Sequence, residues 1–171
     1  VPITVNRPIN LQSLIIKGVE VTWNQPLDFA IKGLGFQANG THITQDSDPV
    51  LVNSSPQTLV ASGVPKWQYN VQGYYEDHGL SLSLNYVWQG GVIAANAPQN
   101  NLPLPLRADS RGQLDLSAGY QLPFLDNGVR LTLDVLNITN EPIRTTFGYD
   151  NAAYSVYYPG RQVLVGLRAR F

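Results

Sequence analysis

The sequence predicts an all-β fold, an antiparallel transmembrane β-meander of about seven strands, each near the roughly 9–11 residues a tilted strand needs to cross a bilayer. Three observations predict it. Apolar residues recur at every second position, which collects them on one face of a strand, and helical spacing is hard to find anywhere. Short and long connections alternate strictly along the chain, as in a meander with tight turns on one side of a membrane and long loops on the other. Trp and Tyr fall at strand ends, where the interfaces of a membrane would meet them.

In chain order, Ile16–Asn24, Leu34–Thr44 and Lys66–Tyr75 are the first three strands, with imperfect alternation. The fourth is cleaner: Leu80, Leu82, Leu84, Tyr86 and Trp88 alternate with Ser81, Ser83, Asn85 and Val87. The fifth sets Leu114, Leu116, Ala118, Tyr120 and Leu122 against Asp115, Ser117, Gly119 and Gln121. Val129–Ile138 is the sixth. In the last, Val163, Val165, Leu167, Ala169 and Phe171 share one face, and Gln162, Leu164, Gly166, Arg168 and Arg170 share the other. One face suits hydrocarbon and the other accepts water.

The connections Pro26–Gly33, Glu76–Gly79 and Pro123–Gly128 are short and carry turn residues such as Asp77, Asp126, Asn127 and Gly128. Those at Gln45–Pro65, Gly90–Arg111 and Asn140–Gly160 are long loops rich in Asn, Pro, Ser and Asp. Trp67, Tyr86 and Trp88 mark the long-loop ends of the strands; Trp23, Tyr75, Tyr120 and Phe171 mark the short-turn ends. A soluble sandwich or lipocalin-like barrel with its apolar faces turned inward shows the same alternation. Its exposed face usually carries many Lys and Glu, however, and here the polar positions hold Gln, Asn, Ser, Thr and Gly.

Composition narrows the function classes. Charged residues make up 13% of the 171 against 43% hydrophobic, and the formal net charge of -1 removes the electrostatic reason to expect nucleic acid as a partner. The absence of Cys excludes a disulfide framework, a thiolate metal site and a thiol nucleophile. No run of about 18 apolar residues exists from which a transmembrane helix could be drawn, which leaves strands as the spanning element. The chain begins at Val1 with neither Met nor a leader, and is expected to be a processed product, an isolated domain or a fragment.

Taken in order, Ile16-Lys17-Gly18-Val19-Glu20-Val21, then Leu136-Asn137-Ile138-Thr139-Asn140-Glu141-Pro142, then Gly160-Arg161 leading to Arg168-Ala169-Arg170-Phe171, resemble the C-terminal strands of TonB-dependent outer-membrane receptors. The resemblance covers the chain from about Leu14 onward. The terminal Phe171 after alternating apolar residues also resembles the signal read by the barrel assembly machinery, with Ala169 standing where an aromatic residue is common.

The resemblance implies that the meander is part of a larger β-barrel, of about 22 strands, closed around a separate plug. Residues 1–171 would be a single C-terminal segment of it, with the plug domain and earlier strands outside the chain. It further implies the bacterial outer membrane as location, with the C-terminus periplasmic and the long loops outside the cell. The implied partners are outer-membrane lipid, the rest of the barrel and its plug, the TonB–ExbB–ExbD complex reached through the plug, and the assembly machinery. The implied function is import of a scarce ligand, an iron–siderophore complex or a carbohydrate, into the periplasm, with no enzymatic step and no cofactor. The alternative is a small self-contained outer-membrane barrel with a structural or adhesive role. For that, residues around Ile3 to Arg7 would supply an eighth strand, although Pro2 and Pro8 bracket them.

Candidate chemistry is sparse. His42 and His78 belong to opposite membrane faces and share no metal or triad geometry, and no G-x-S-x-G spacing occurs. Asp46 and Asp48 form an Asp-x-Asp pair without the remaining ligands of a calcium site, so no metal is expected there. Asn39-Gly40-Thr41, Asn53-Ser54-Ser55 and Asn137-Ile138-Thr139 fit the glycosylation pattern by chance. Glu20, Asp115, Asp134, Arg168 and Arg170 share the polar parity and are expected to face the lumen, pairing with one another or with a plug. The candidate ligand-binding residues lie in the long loops: Asp46, Asp48, Asp109, Arg111, Tyr149, Asp150, Tyr154 and Tyr157. There, aromatics beside polar groups suit a sugar ring or a catecholate; the same tyrosines, with Tyr158, also suit the upper aromatic girdle.

Overall fold

The computed structural model describes residues 13–52, 55–57, 60–95, 105–123 and 128–170. These residues form strands β1 (Leu14–Pro26), β2 (Leu34–Ser47), β3 (Val50–Val52), β4 (Ser55–Gln57), β5 (Trp67–Asp77), β6 (Leu80–Gln89) and β7 (Val92–Ala95). They continue with β8 (Leu106–Ala108), β9 (Arg111–Leu122), β10 (Val129–Leu136), β11 (Ile143–Phe147), β12 (Ala153–Tyr157) and β13 (Gln162–Ala169).

The seven long strands make one sheet in the order β1-β2-β5-β6-β9-β10-β13, every neighbouring pair antiparallel. This is the meander the alternation predicts. The ten residues of β6 span roughly 33 Å at about 3.3 Å per residue. Tilted by about 40°, they cover the roughly 25 Å apolar band of an outer-membrane barrel. Between β5 and β6 the turn is two residues, His78 and Gly79, with φ of 49° and 77°. Positive φ at both central positions is the type I′ geometry whose twist suits a hairpin. Asp77 sits beside it, 2.8 Å from His78 Nδ1 and 3.6 Å from Lys32 Nζ.

The register carries one face across all seven strands. Val163, Val165 and Leu167 of β13 stand opposite Val135, Leu133 and Leu131 of β10, and Leu133 and Leu131 stand opposite Ala118 and Tyr120 of β9. Ala118 and Leu116 face Leu82 and Leu84 of β6, and the row runs on through Tyr75 and Val71 of β5, Ala38 of β2 and Trp23 of β1. This apolar face is the open one: Val165 is 72% exposed, Val19 66% and Leu84 46%. On β6 and β10 the polar face is the more enclosed one, with Ser81, Ser83, Asn85, Thr132 and Asp134 half-buried and lining or flanking a concavity of about 450 Å³, while Gln37 and Asn39 of β2 and Arg168 of β13 stay exposed on it. Among the described residues the sole buried hydrophobic side chain is Val129. A water-soluble domain arranges its faces the other way round.

Both aromatic belts form. At the long-loop ends Tyr69 stacks on Trp88 with centroids 5.2 Å apart, and His42 lies 3.9 Å from Trp67; at the short-turn ends Trp23 meets Phe36 edge-on at 5.4 Å.

The long connections correct the expectation of loops. β3 and β4 pair as a hairpin, and β7, β8, β11 and β12 form a second sheet in the order β12-β11-β8-β7, so the second and third connections fold together. These strands are three to five residues long. Strands this short leave little alternation to read, and the pairing of β8 with β11 joins segments far apart in sequence. Within the described residues the main sheet is open, with β1 and β13 as its two edges. The segment around Ile3 to Arg7, and Phe171 as an assembly signal, lie outside the described residues.

Candidate functional site

The polar face follows from parity. Glu20 lies opposite Thr41, Asp115 opposite Asn85, Asp134 opposite Ser117 and Leu164, and Arg168 opposite Arg130, all on that face. Arg170 continues the parity of β13 just past its end, its N–H donating to Gly128 O at 2.7 Å. No ion pair found among the described residues joins two of these five. Asp115 instead accepts from Gln113 Nε2 at 2.9 and 3.0 Å and from the Asn137 N–H at 2.8 Å. Gln113 in turn accepts from Arg111 at 2.6 Å, so the charges of Arg111 and Asp115 are joined through a carboxamide. Arg130 lies flat across β9 and donates to Ser81 Oγ at 2.5 Å. Gly119 permits that path: a Cβ there would stand 2.5 Å from the guanidinium and 2.8 Å from Ser81 Oγ.

At the long-loop end, the second sheet gathers some of the predicted residues and not others. Asp109 and Asp150 meet around Arg144, which the sequence reading missed. Its Nη1 is 3.2 Å from Asp109 Oδ2, its Nη2 donates to the carbonyl of Asp150, and its own carbonyl accepts from the Asp109 N–H at 3.0 Å. With Arg107, Ser110 and Thr146 they border a concavity of about 550 Å³. Thr146 is the most buried of these at 1% exposure, because β11 is paired on both sides.

Four candidates expected in loops sit on or beside strands. Asp46 is on β2 opposite Ile15, with the parity of the apolar face, and Arg111 is the first residue of β9. Tyr154 and Tyr157 are on β12, where Tyr154 packs edge-on against Phe147 at 4.8 Å. Asp48 is exposed just past β2, away from the Arg144 cluster in the chain. Tyr149, Tyr154 and Tyr157 are each more than half exposed. No group of three His, Asp or Glu placed to hold a metal ion is present among the described residues.

Asn137 is the residue whose role sequence reasoning did not find. It is 4% exposed, at φ 55°, a left-handed conformation that Asn tolerates better than most residues. Its Nδ2 donates to Gly160 O at 3.0 Å and Glu141 O at 3.3 Å, while its Oδ1 accepts from the Glu141 N–H at 2.9 Å. It ends β10 and ties both feet of the third connection together. The signal was an Asn between an apolar strand and Pro142.

The family model described as TonB dependent receptor-like, beta-barrel, matches residues 1–138. The chain belongs to this family. The match begins ahead of Leu14, where the resemblance was expected to start, and takes in the six strands of the main sheet up to β10. Comparison with curated proteins and with solved structures gives no match. TonB-dependent receptor barrels are transporters of the bacterial outer membrane, and membership accounts for a sheet whose apolar side is its open side.

Proposed function

We propose that this chain is a section of the wall of a TonB-dependent outer-membrane receptor that imports a scarce ligand, an iron–siderophore complex or a carbohydrate, into the periplasm. The reading is supported by one observation: in a member of this family, an antiparallel meander leaves an apolar face exposed and collects its polar side chains on the other. Hydrocarbon covers the first; the second lines a lumen completed by further strands and a plug. Energy arrives from TonB–ExbB–ExbD through that plug, and no bond in the ligand changes. The long connections face outward, with Asp109, Arg111, Tyr149, Asp150, Tyr154 and Tyr157 on the ligand's approach and Asp46 and Asp48 at its margin. Glu20, Asp115, Asp134, Arg168 and Arg170 look onto the plug.

The test is uptake by cells producing the whole receptor, with ferric catecholate and neutral oligosaccharides as probes, in the presence and absence of TonB. Accumulation of one probe is expected to fall to background without TonB. Accumulation that survives the loss of TonB would sink the import reading.

A further inference from the structure

Charge is unevenly distributed over the polar face. On β2 its residues run from Gly35 to Ser47, and on β6 from Ser81 to Gln89, without a charged side chain; on β5 the one charge is Glu76, at the short-turn end. The charges lie mainly on β9 and β10, where Arg111 and Asp115 are linked through Gln113 and Arg130 is held by Ser81. Carboxamides occupy the uncharged half in cross-strand register: Asn39 opposite Asn70, Gln37 opposite Gln72, Gln72 opposite Asn85, and Gln68 opposite Gln89. Gln37 Nε2 donates to Gln72 Oε1 at 2.5 Å, and the Oδ1 atoms of Asn70 and Asn85 are buried with no hydrogen-bond partner. Near the long-loop end a concavity of about 180 Å³ opens among Asn39, Thr41, Gln68, Asn70 and Gln89.

A carboxamide offers two donors and an acceptor, and a hydroxyl offers a donor and acceptors, so a lattice of carboxamides pairs with a polyol in either sense without any charge. An anionic metal chelate is instead held by guanidinium or ammonium groups, which lend it charge-assisted bonds and draw it in from solution. β2, β5 and β6 contribute none of these from their own polar side; the one guanidinium that reaches them is that of Arg130, already bound to Ser81. The geometry points to a neutral, polyhydroxylated ligand, an oligosaccharide, as what this receptor passes along that wall. The assignment rests on the receptor reading above and selects between its two ligand classes.

The experiment uses outer-membrane vesicles holding the whole receptor, without an energy source. Three pools of neutral, fluorescently tagged oligosaccharides, from starch, xylan and mannan, are titrated at about 20 and 300 mM NaCl beside a ferric catecholate chelate. At least one pool is expected to bind, with affinity changed less than about twofold by salt. The Asn70→Leu/Gln72→Leu double variant is expected to weaken that binding at least tenfold, and Asn70→Gln alone to keep most of it. The inference is overturned if no pool binds above receptor-free vesicles, if the chelate binds in their place, or if the double variant leaves sugar affinity intact. It is equally overturned if the double variant only loosens the plug, read as antibiotic leakage. An assembled receptor that ignores every pool defeats the sugar assignment alone, whereas sugar uptake independent of TonB defeats the receptor reading.

Discussion

Asn137 shows how much one side chain carries where packing is thin. Its carboxamide makes three hydrogen bonds within the third connection, and its own N–H reaches Asp115, linking that connection to the Arg111–Gln113–Asp115 ladder on β9. Asn137→Ala leaves the Glu141 N–H and the Gly160 carbonyl without this partner and puts an Ala at φ 55°. The combined cost is about 2–4 kcal/mol. The expected readout is faster protease cleavage between residues 143 and 157 in the intact receptor. Asn137→Asp keeps the acceptor for Glu141 and loses both donations, so its cleavage rate should fall between the two. Identical protease resistance in all three forms would show that the third connection is held elsewhere, the Arg144 cluster being the next candidate.

At the scale of elements, what was legible depended on length and locality. Leu80–Trp88 was readable because nine residues of strict alternation leave one face apolar, and β6 extends it by one residue to Gln89. Val129–Ile138 was read two residues too long, since β10 stops at Leu136 where Asn137 turns left-handed, a conformational choice invisible to hydrophobic period. The second sheet was not legible: β8 is three residues, and its partner β11 arrives some forty positions later by a pairing with no local signature. The same gap hid Arg144, which matters because of where β11 places it beside Asp109. The clear element also gives the sharpest test of orientation. Leu82 is on the open apolar face and Ser83, its neighbour on β6, is half-buried on the polar one. Leu82→Arg is expected to cost about 2–4 kcal/mol near the bilayer midplane or to block assembly, while Ser83→Arg should be tolerated in the lumen. Heat-modifiable mobility of the receptor on gels reads out both, and equal tolerance would refute the assignment of faces.

At the scale of the whole molecule, the controlling fact is that the described residues form a sheet with an exposed apolar face, almost no interior and two open edges. Among the described residues Val129 is the only buried hydrophobic side chain, so burial of apolar surface within the chain cannot offset the conformational entropy of ordering it in water. Lipid supplies the missing burial, but it does not satisfy the edges. β1 is thirteen residues long and β13 eight, each bonded to one neighbour among the described residues, and every bare N–H or C=O in hydrocarbon costs several kcal/mol. The two edges therefore require further strands as firmly as the apolar face requires lipid. It follows that residues 1–171 alone, refolded in water, should show no cooperative unfolding in a urea titration followed by Trp fluorescence. In detergent micelles the same segment should self-associate through its edges, and the intact barrel should not. A monomeric 18.8 kDa species that unfolds cooperatively in water would mean that the apolar face finds cover within this chain, and the membrane wall would have to be abandoned.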